Sequence, residues 1–179
     1  MSMKNEHLNA LTAASKIVTV CLPVKGDENG LNGSVFLAPK LRGFGEGKFN
    51  GYGGHRKANE SVIRAALREF YEESSATADP EDLRKVGVVQ FFDGDRHAFE
   101  CHMFLLLKWT GTMKESKEMG APEEFVWADL PFDRMWAADK EWIPLVGAGK
   151  RIVAEARYHQ GMKKGLEFFT WRSMKDNED

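Results

Sequence analysis

Three carboxylates fall within five residues. Glu69, Glu72 and Glu73 follow directly on Arg68 in the run Arg68-Glu69-Phe70-Tyr71-Glu72-Glu73. On a helix that turns about 100° per residue, Glu69 and Glu73 stand about 40° apart, and Glu72 stands about 60° to the other side of Glu69. Like charges on one such arc repel by roughly a few tenths of a kcal/mol per pair when solvated. An exposed structural face usually interleaves lysine, but no Lys occurs between positions 58 and 84, where Arg64 and Arg68 are the nearest cations. A hard divalent cation would relieve the repulsion. Mg²⁺ takes oxygen ligands at about 2.0–2.1 Å and keeps waters and phosphates in its shell. A solvated acidic face is the competing interpretation, and the segment ahead of the helix weighs against it. Residues 42–54 carry six glycines in thirteen positions and end in Gly53-Gly54. Glycine loses the most entropy on ordering, so no helix or long strand is expected there. A long irregular stretch inside a compact domain is usually functional. Backbone carbonyls from such a loop and carboxylates from the helix behind it can meet on one metal.

Other elements must position this pair. Val62, Ile63, Ala66, Leu67 and Phe70 recur at helical spacing and predict a buried stripe, with Asn59 as N-cap and Glu60 in the first turn. The helix is expected to fade near Ser74–Ser75. Asp79-Pro80 reads as the cap and first position of a short helical turn. Apolar, β-branched runs at 16–24 and 34–40 predict a hairpin across the turn-rich loop 26–33. Runs at 85–92 and 97–109 predict a second hairpin across 93–96. A polar loop at 111–124, a short strand at 125–130 and an irregular segment at 130–139 follow. Residues 140–160 read as a helix weakened by Gly147 and Gly149, and 166–174 as a last strand. The order β-β-loop-α-β-β-β-α-β implies the α+β class.

The chain has 179 residues, enough for one domain, expected at 16–174 between tails at 1–15 and 175–179. Hydrophobic residues make up 42% and charged residues 29%, an ordinary globular composition. A net charge of only -2 argues against binding nucleic-acid polymers, which calls for a basic excess. No apolar run approaches the roughly 18 residues of a membrane span, and the first residues lack the pattern of a signal peptide. Cys21 and Cys101 both sit in apolar runs and are expected to be buried, reduced thiols of a cytoplasmic protein.

The spacing from loop to helix resembles the Nudix box. Gly54, five residues, Glu60, seven residues, then residues 68–76 match the pattern G-x5-E-x7-R-E-U-x-E-E-x-G-U, U being bulky and apolar, at every charged position. Ser75 stands where the family has Gly, and Ala76 is smaller than the usual apolar residue. The resemblance implies the Nudix fold, a mixed β-sheet packed between helices as an α/β/α sandwich. It also implies hydrolysis of a nucleoside diphosphate linked to another group. Water attacks phosphorus while Mg²⁺, or Mn²⁺, neutralises charge on the bridging oxygens. By position, Glu69, Glu72 and Glu73 would hold the metal together with the carbonyl of Gly53. Arg68 would orient these carboxylates and Glu60 would support them. Glu69 and Glu118 are the candidates to orient or deprotonate the water. Glu118 lies where many relatives carry an additional acid, a further metal candidate.

Outside the box, residues 43–54 and 132–145 are similar to the mammalian-type MutT homologues, the branch of the family that hydrolyses oxidised purine nucleoside triphosphates. That likeness covers about residues 16–172. It implies a nucleoside triphosphate substrate, monophosphate and pyrophosphate as products, and a monomeric enzyme of nucleotide-pool sanitation. By position, Asn50 would hydrogen-bond the base, Phe44 and Trp136 would line or stack on it, and Asp139 would meet its Watson–Crick edge. Lys40 would approach phosphates, and Thr19, Phe91 and Phe99 are candidate wall residues. Where the branch has Pro-Asp-Asp, this chain has Ala137-Ala138-Asp139. Losing a polar group removes discrimination for whatever that group read. A dinucleoside polyphosphate, nucleotide sugar or capped RNA as substrate, or a non-catalytic nucleotide-binding module, are the alternatives. A full set of box carboxylates speaks against the non-catalytic module.

Overall fold

The computed structural model describes residues 16–162 and 165–178; the tail expected at 1–15 lies outside them. The strands are β1 (Ile17–Lys25), β2 (Ser34–Pro39), β3 (Phe49–Asn50), β4 (Leu83–Asp93), β5 (Arg96–Leu106), β6 (Glu123–Val126), β7 (Ile152–Tyr158) and β8 (Leu166–Ser173). The helices are α1 (Val62–Ser74) and α2 (Asp139–Gly147). The strand order is β3-β2-β1-β5-β4-β7-β8, with β6 pairing on β2. Both expected hairpins form, since β1 pairs antiparallel with β2 and β4 with β5. The sheet is mixed because β1–β5 and β4–β7 run parallel.

Period-two alternation places a core on each face of the sheet. Val20, Leu22 and Val24 of β1 join one buried cluster, while Cys21 between them joins the other. Trp142, Ile143 and Val146 of α2 close the first cluster. Phe70 of α1 closes the second, its ring edge-on to Tyr52 at 5.5 Å. The sheet is thus sandwiched between two helices, the α+β architecture that the element order implies. Both cysteines are buried and free. Among the described residues no helix is long and apolar enough to cross a membrane.

Helix α1 starts later than the spacing predicts. Ser61, not Asn59, is the N-cap: its hydroxyl accepts the Arg64 amide at 3.2 Å, and Asn59 takes a left-handed turn (φ 61°) ahead of it. Glu60 therefore lies outside the helix. The buried face runs through Ala65, Ala66, Phe70, Glu73 and Ser74, leaving Ile63 exposed. Small side chains at 65 and 66 let the helix approach β1 closely, and this rotation carries Glu73 inward. Ser75 keeps the left-handed conformation (φ 64°), its amide donating to Tyr71 O at 2.8 Å. A non-glycine residue there costs about 1 kcal/mol.

The helix expected over 140–160 is two elements. Gly149 (φ 77°) ends α2, with Lys150 N–H donating to Leu145 O at 2.9 Å, a Schellman closure. Residues 152–158 then form β7, burying Ile152, Ala154, Ala156 and Tyr158 in strict alternation. The short strand expected at 125–130 lies instead at 123–126, because its pairing with Ser34–Leu37 of β2 sets the register.

Candidate active site

The glycine segment is pinned to β1. Thr19 N–H donates to Gly54 O at 2.9 Å, and Cys21 and Tyr52 exchange backbone bonds at 2.7 and 2.9 Å. A Cβ at Gly53 would lie 1.9 Å from Thr19 O, and one at Gly54 would lie 2.7 Å from the Glu69 carboxylate. Backbone contact at 53 and carboxylate contact at 54 explain the Gly-Gly pair. Gly53→Ala is expected to cost about 3 kcal/mol, because the clash is with backbone that cannot turn aside. Urea unfolding measures this; a loss under about 0.5 kcal/mol would refute the close-approach account.

Arg68 gathers the acids of the helix and the segment ahead of it. Its Nε and Nη2 take both oxygens of Glu60 at 2.8 and 3.0 Å, and its Nη1 reaches Glu69 at 2.7 Å and Glu72 at 3.1 Å. Nη2 also donates to His55 O at 3.0 Å, tying the helix to the loop. Hydrogen bonds from Arg68, reinforced by the Lys57 amide, pull the Glu60 carboxyl down to about 2. Glu73 points elsewhere. It is buried, and it accepts from Lys40 Nζ at 2.8 Å and from Gly53 N–H at 2.9 Å. Burial raises its pKa, and those two donors oppose the rise. Glu118 is drawn in from its loop by Arg42 at 2.6 Å and Lys40 at 3.7 Å, and these cations, Arg42 foremost, lower its pKa.

One cleft of about 930 Å³ joins these groups to an aromatic pocket. Lys40, Gly53, Glu69, Glu72 and Glu118 line one end; Phe44, Asn50, Phe91, Phe99, Trp136 and Asp139 line the other. Thr19 lines the cleft as well, and its buried hydroxyl has no partner among the described residues. Glu73 lies behind the wall, anchoring Lys40 and Gly53. Phe44, 62% exposed, stacks on Trp136 at 4.6 Å and 20°. Phe91 stacks on Phe99 at 4.8 Å, and Lys48 Nζ lies 5.2 Å over the Trp136 ring. The Asn50 side-chain oxygen accepts the Gly51 amide at 2.9 Å, a local turn bond. Asp139 is buried, accepting from Trp136 N–H at 3.0 Å and Trp142 Nε1–H at 2.9 Å. Burial raises its pKa to about 6 against those bonds, so it is mostly ionised at neutral pH.

Every site residue named from the sequence except Glu73 and the supporting Glu60 thus lines this one cleft. Sequence reasoning missed the cleft-lining cations Arg42, Arg56 and Lys57, which follow no motif. It also missed Tyr158, on a strand whose alternation was the available signal.

The NUDIX domain family model matches residues 16–146. The chain belongs to the Nudix family. It is 38% identical over 145 residues to the oxidized purine nucleoside triphosphate hydrolase of Danio rerio, covering 80% of this chain and 87% of that one. It is 36% identical over 125 residues to the Mus musculus protein of the same name, covering 69% and 78%. In fold it resembles a crystal structure of a MutT protein from Bacillus halodurans, with a TM-score of 0.68 at 21% identity, covering 87% and 97% of the two chains.

Nudix hydrolases use divalent metal ions, and the donor set here suits a hard one. Glu69 and Glu72 offer only oxygens, and their convergence on one guanidinium nitrogen marks a spot where positive charge is favoured. Among the described residues no three acids stand close enough to hold an ion as they lie. Glu69 and Glu72 are held by Arg68, so gathering ligands requires a turn of these side chains. Glu60 already gives Arg68 a two-bond partner, which lets the other two acids leave it.

Proposed function

We propose that this Nudix hydrolase cleaves purine nucleoside triphosphates, oxidised purines among them, to monophosphate and pyrophosphate. The observation that carries this is the single cleft, with acids and cations at one end and stacked aromatics beside a carboxylate at the other. A triphosphate and a flat base need those two ends at once. The similarity to the zebrafish and mouse hydrolases supports the oxidised-purine substrate.

In this reading Glu69 and Glu72, with the Gly53 carbonyl, would hold Mg²⁺, with Mn²⁺ able to replace it, and Glu118 would be a further ligand. Glu73, the third ligand that the family spacing implies, is turned behind the cleft wall onto Lys40 and the Gly53 amide and would support the site from there. When bound, the ion neutralises charge on the phosphoryl oxygens. Arg68 orients Glu69 and Glu72 through the bonds described. Lys40, Arg42, Arg56 and Lys57 attract and align the phosphate chain. Glu69 or Glu118 orients the attacking water and takes its proton. At the other end the base stacks on Trp136 and Phe44, a contact worth roughly 1–3 kcal/mol by analogy with aromatic nucleic-acid platforms. Asn50 and Asp139 meet its edges, and Thr19, Phe91 and Phe99 form the walls. The enzyme acts on free nucleotides rather than polymers, as a cytoplasmic monomer built on one domain at 16–174 between two tails.

The test is pyrophosphate release over a panel of 8-oxo-dGTP, 2-hydroxy-dATP, methylated purine triphosphates, dGTP and Ap4A with Mg²⁺. A purine triphosphate is expected to lead. A flat profile, or a lead for Ap4A, would overturn the reading.

A further inference from the structure

The base end of the cleft contains a polar group with no role above: Tyr158, the last residue of β7. Its ring is fixed on two sides, stacked on Phe91 at 6.5 Å and edge-on to Trp136 at 6.1 Å. Its hydroxyl accepts the Ala138 amide at 2.9 Å. That bond uses a lone pair, and among the described residues the hydroxyl hydrogen has no acceptor. Burial, with Asp139 nearby, raises the phenol well above its ordinary pKa, so the hydroxyl remains a donor across the physiological range. The neighbouring Asp139 complements it. Each of its oxygens takes one N–H and keeps a further lone pair.

The pocket floor therefore offers one hydrogen-bond donor beside a two-oxygen acceptor. A guanine-type edge presents the converse: an oxo acceptor at position 6, then ring N–H and 2-amino donors. An adenine-type edge presents a 6-amino donor followed by a bare ring nitrogen, the reverse order. We propose that Tyr158 determines base specificity: its hydroxyl donates to the 6-oxo group while Asp139 accepts from the adjacent N–H groups, so the cleft prefers 6-oxopurine nucleotides. Tyr158 and Asp139 are 1% and 7% exposed, so the edge of a flat group sliding along Trp136 is what reaches them. The proposal rests on the purine-nucleotide reading above.

Calorimetric binding of four deoxynucleoside monophosphates, of guanine, hypoxanthine, adenine and 2-aminopurine, to the wild type and to Tyr158→Phe tests it. Pyrophosphate release from the matching triphosphates is measured in parallel, and thermal melting of the variant alongside. The wild type is expected to bind the two 6-oxopurines about tenfold tighter than the other two. Tyr158→Phe is expected to lose about tenfold on the 6-oxopurines only, closing the gap. An equal loss on all four ligands marks a packing role and overturns the proposal, as do an unchanged variant and a wild type that binds all four alike. If the variant does not fold, the wild-type series decides: a preference for adenine or 2-aminopurine, or none, refutes it. Ordered binding without pyrophosphate release from any triphosphate would sink the proposed reaction and leave the base reading standing. No binding of any of the four sinks both.

Discussion

Glu72→Gln is expected to lower metal-dependent hydrolysis by about 10²–10³-fold while the fold stays intact. Glu72 is half-exposed, and its tie to Arg68 at 3.1 Å is one of several that this guanidinium makes. Losing an exposed ion pair of this kind costs roughly 0–1 kcal/mol, so melting should hardly move. Charge at the phosphate end is another matter. The amide keeps the shape of the carboxylate and removes the anion that a divalent cation requires. Titrating the variant with Mg²⁺ separates the readings: raised metal demand and lost turnover fit a ligand, whereas near-normal turnover would sink the metal-site assignment. Arg68 adds a second expectation within the same experiment. Freed from Glu72, it keeps Glu60 and Glu69, at 2.8 and 2.7 Å, so the helix stays tied to the loop.

Local rules made much of this molecule legible. Six glycines in thirteen residues announced the loop, and the carboxylate spacing announced the helix behind it and the family. Both hairpins followed from apolar runs around turn residues. The errors fall where tertiary packing overrides a local preference. Asn59 is as good a cap as Ser61 by composition, but only Ser61 stands three residues ahead of an amide that its hydroxyl meets. Residues 152–158 contain Ala154, Glu155, Ala156 and Arg157, good helix formers, yet the parallel place beside β4 makes them a strand. Reading period two there would have brought Tyr158 into view. The orientation of Glu73 was not legible at all. On a helical wheel it is the neighbour of Glu69, and its inward turn depends on Lys40, thirty-three residues earlier, and on the Gly53 amide.

That inward turn makes Lys40→Met the stability variant with the largest expected loss, about 3–5 kcal/mol, the cost of stripping a buried charge of its partner. At about 2–4 °C per kcal/mol for a chain of this size, melting should fall by about 10 °C. The side chains of Lys40 and Glu73 are 17% and 3% exposed, so solvent does little to replace the pair. The pH dependence identifies the cause. Burial already raises the Glu73 pKa, and Lys40 is the largest influence opposing that rise. Removing Lys40 lifts the folded-state value further above the unfolded value of about 4.3. A carboxyl whose folded pKa is raised binds protons more tightly when folded. Its stabilising contribution is therefore complete below the unfolded pKa and is lost as pH rises through the folded one. The penalty of Lys40→Met relative to wild type should accordingly be smallest below about pH 4, where Glu73 is neutral in both states, and should grow through mildly acidic pH to a plateau. Adding Glu73→Gln removes the stranded charge and keeps an oxygen for the Gly53 amide. The double variant should therefore be more stable than the two single losses predict, by about 2 kcal/mol. A penalty that is flat with pH, or two losses that simply add, would mean that Lys40 stabilises the loop through its stem and not through its charge.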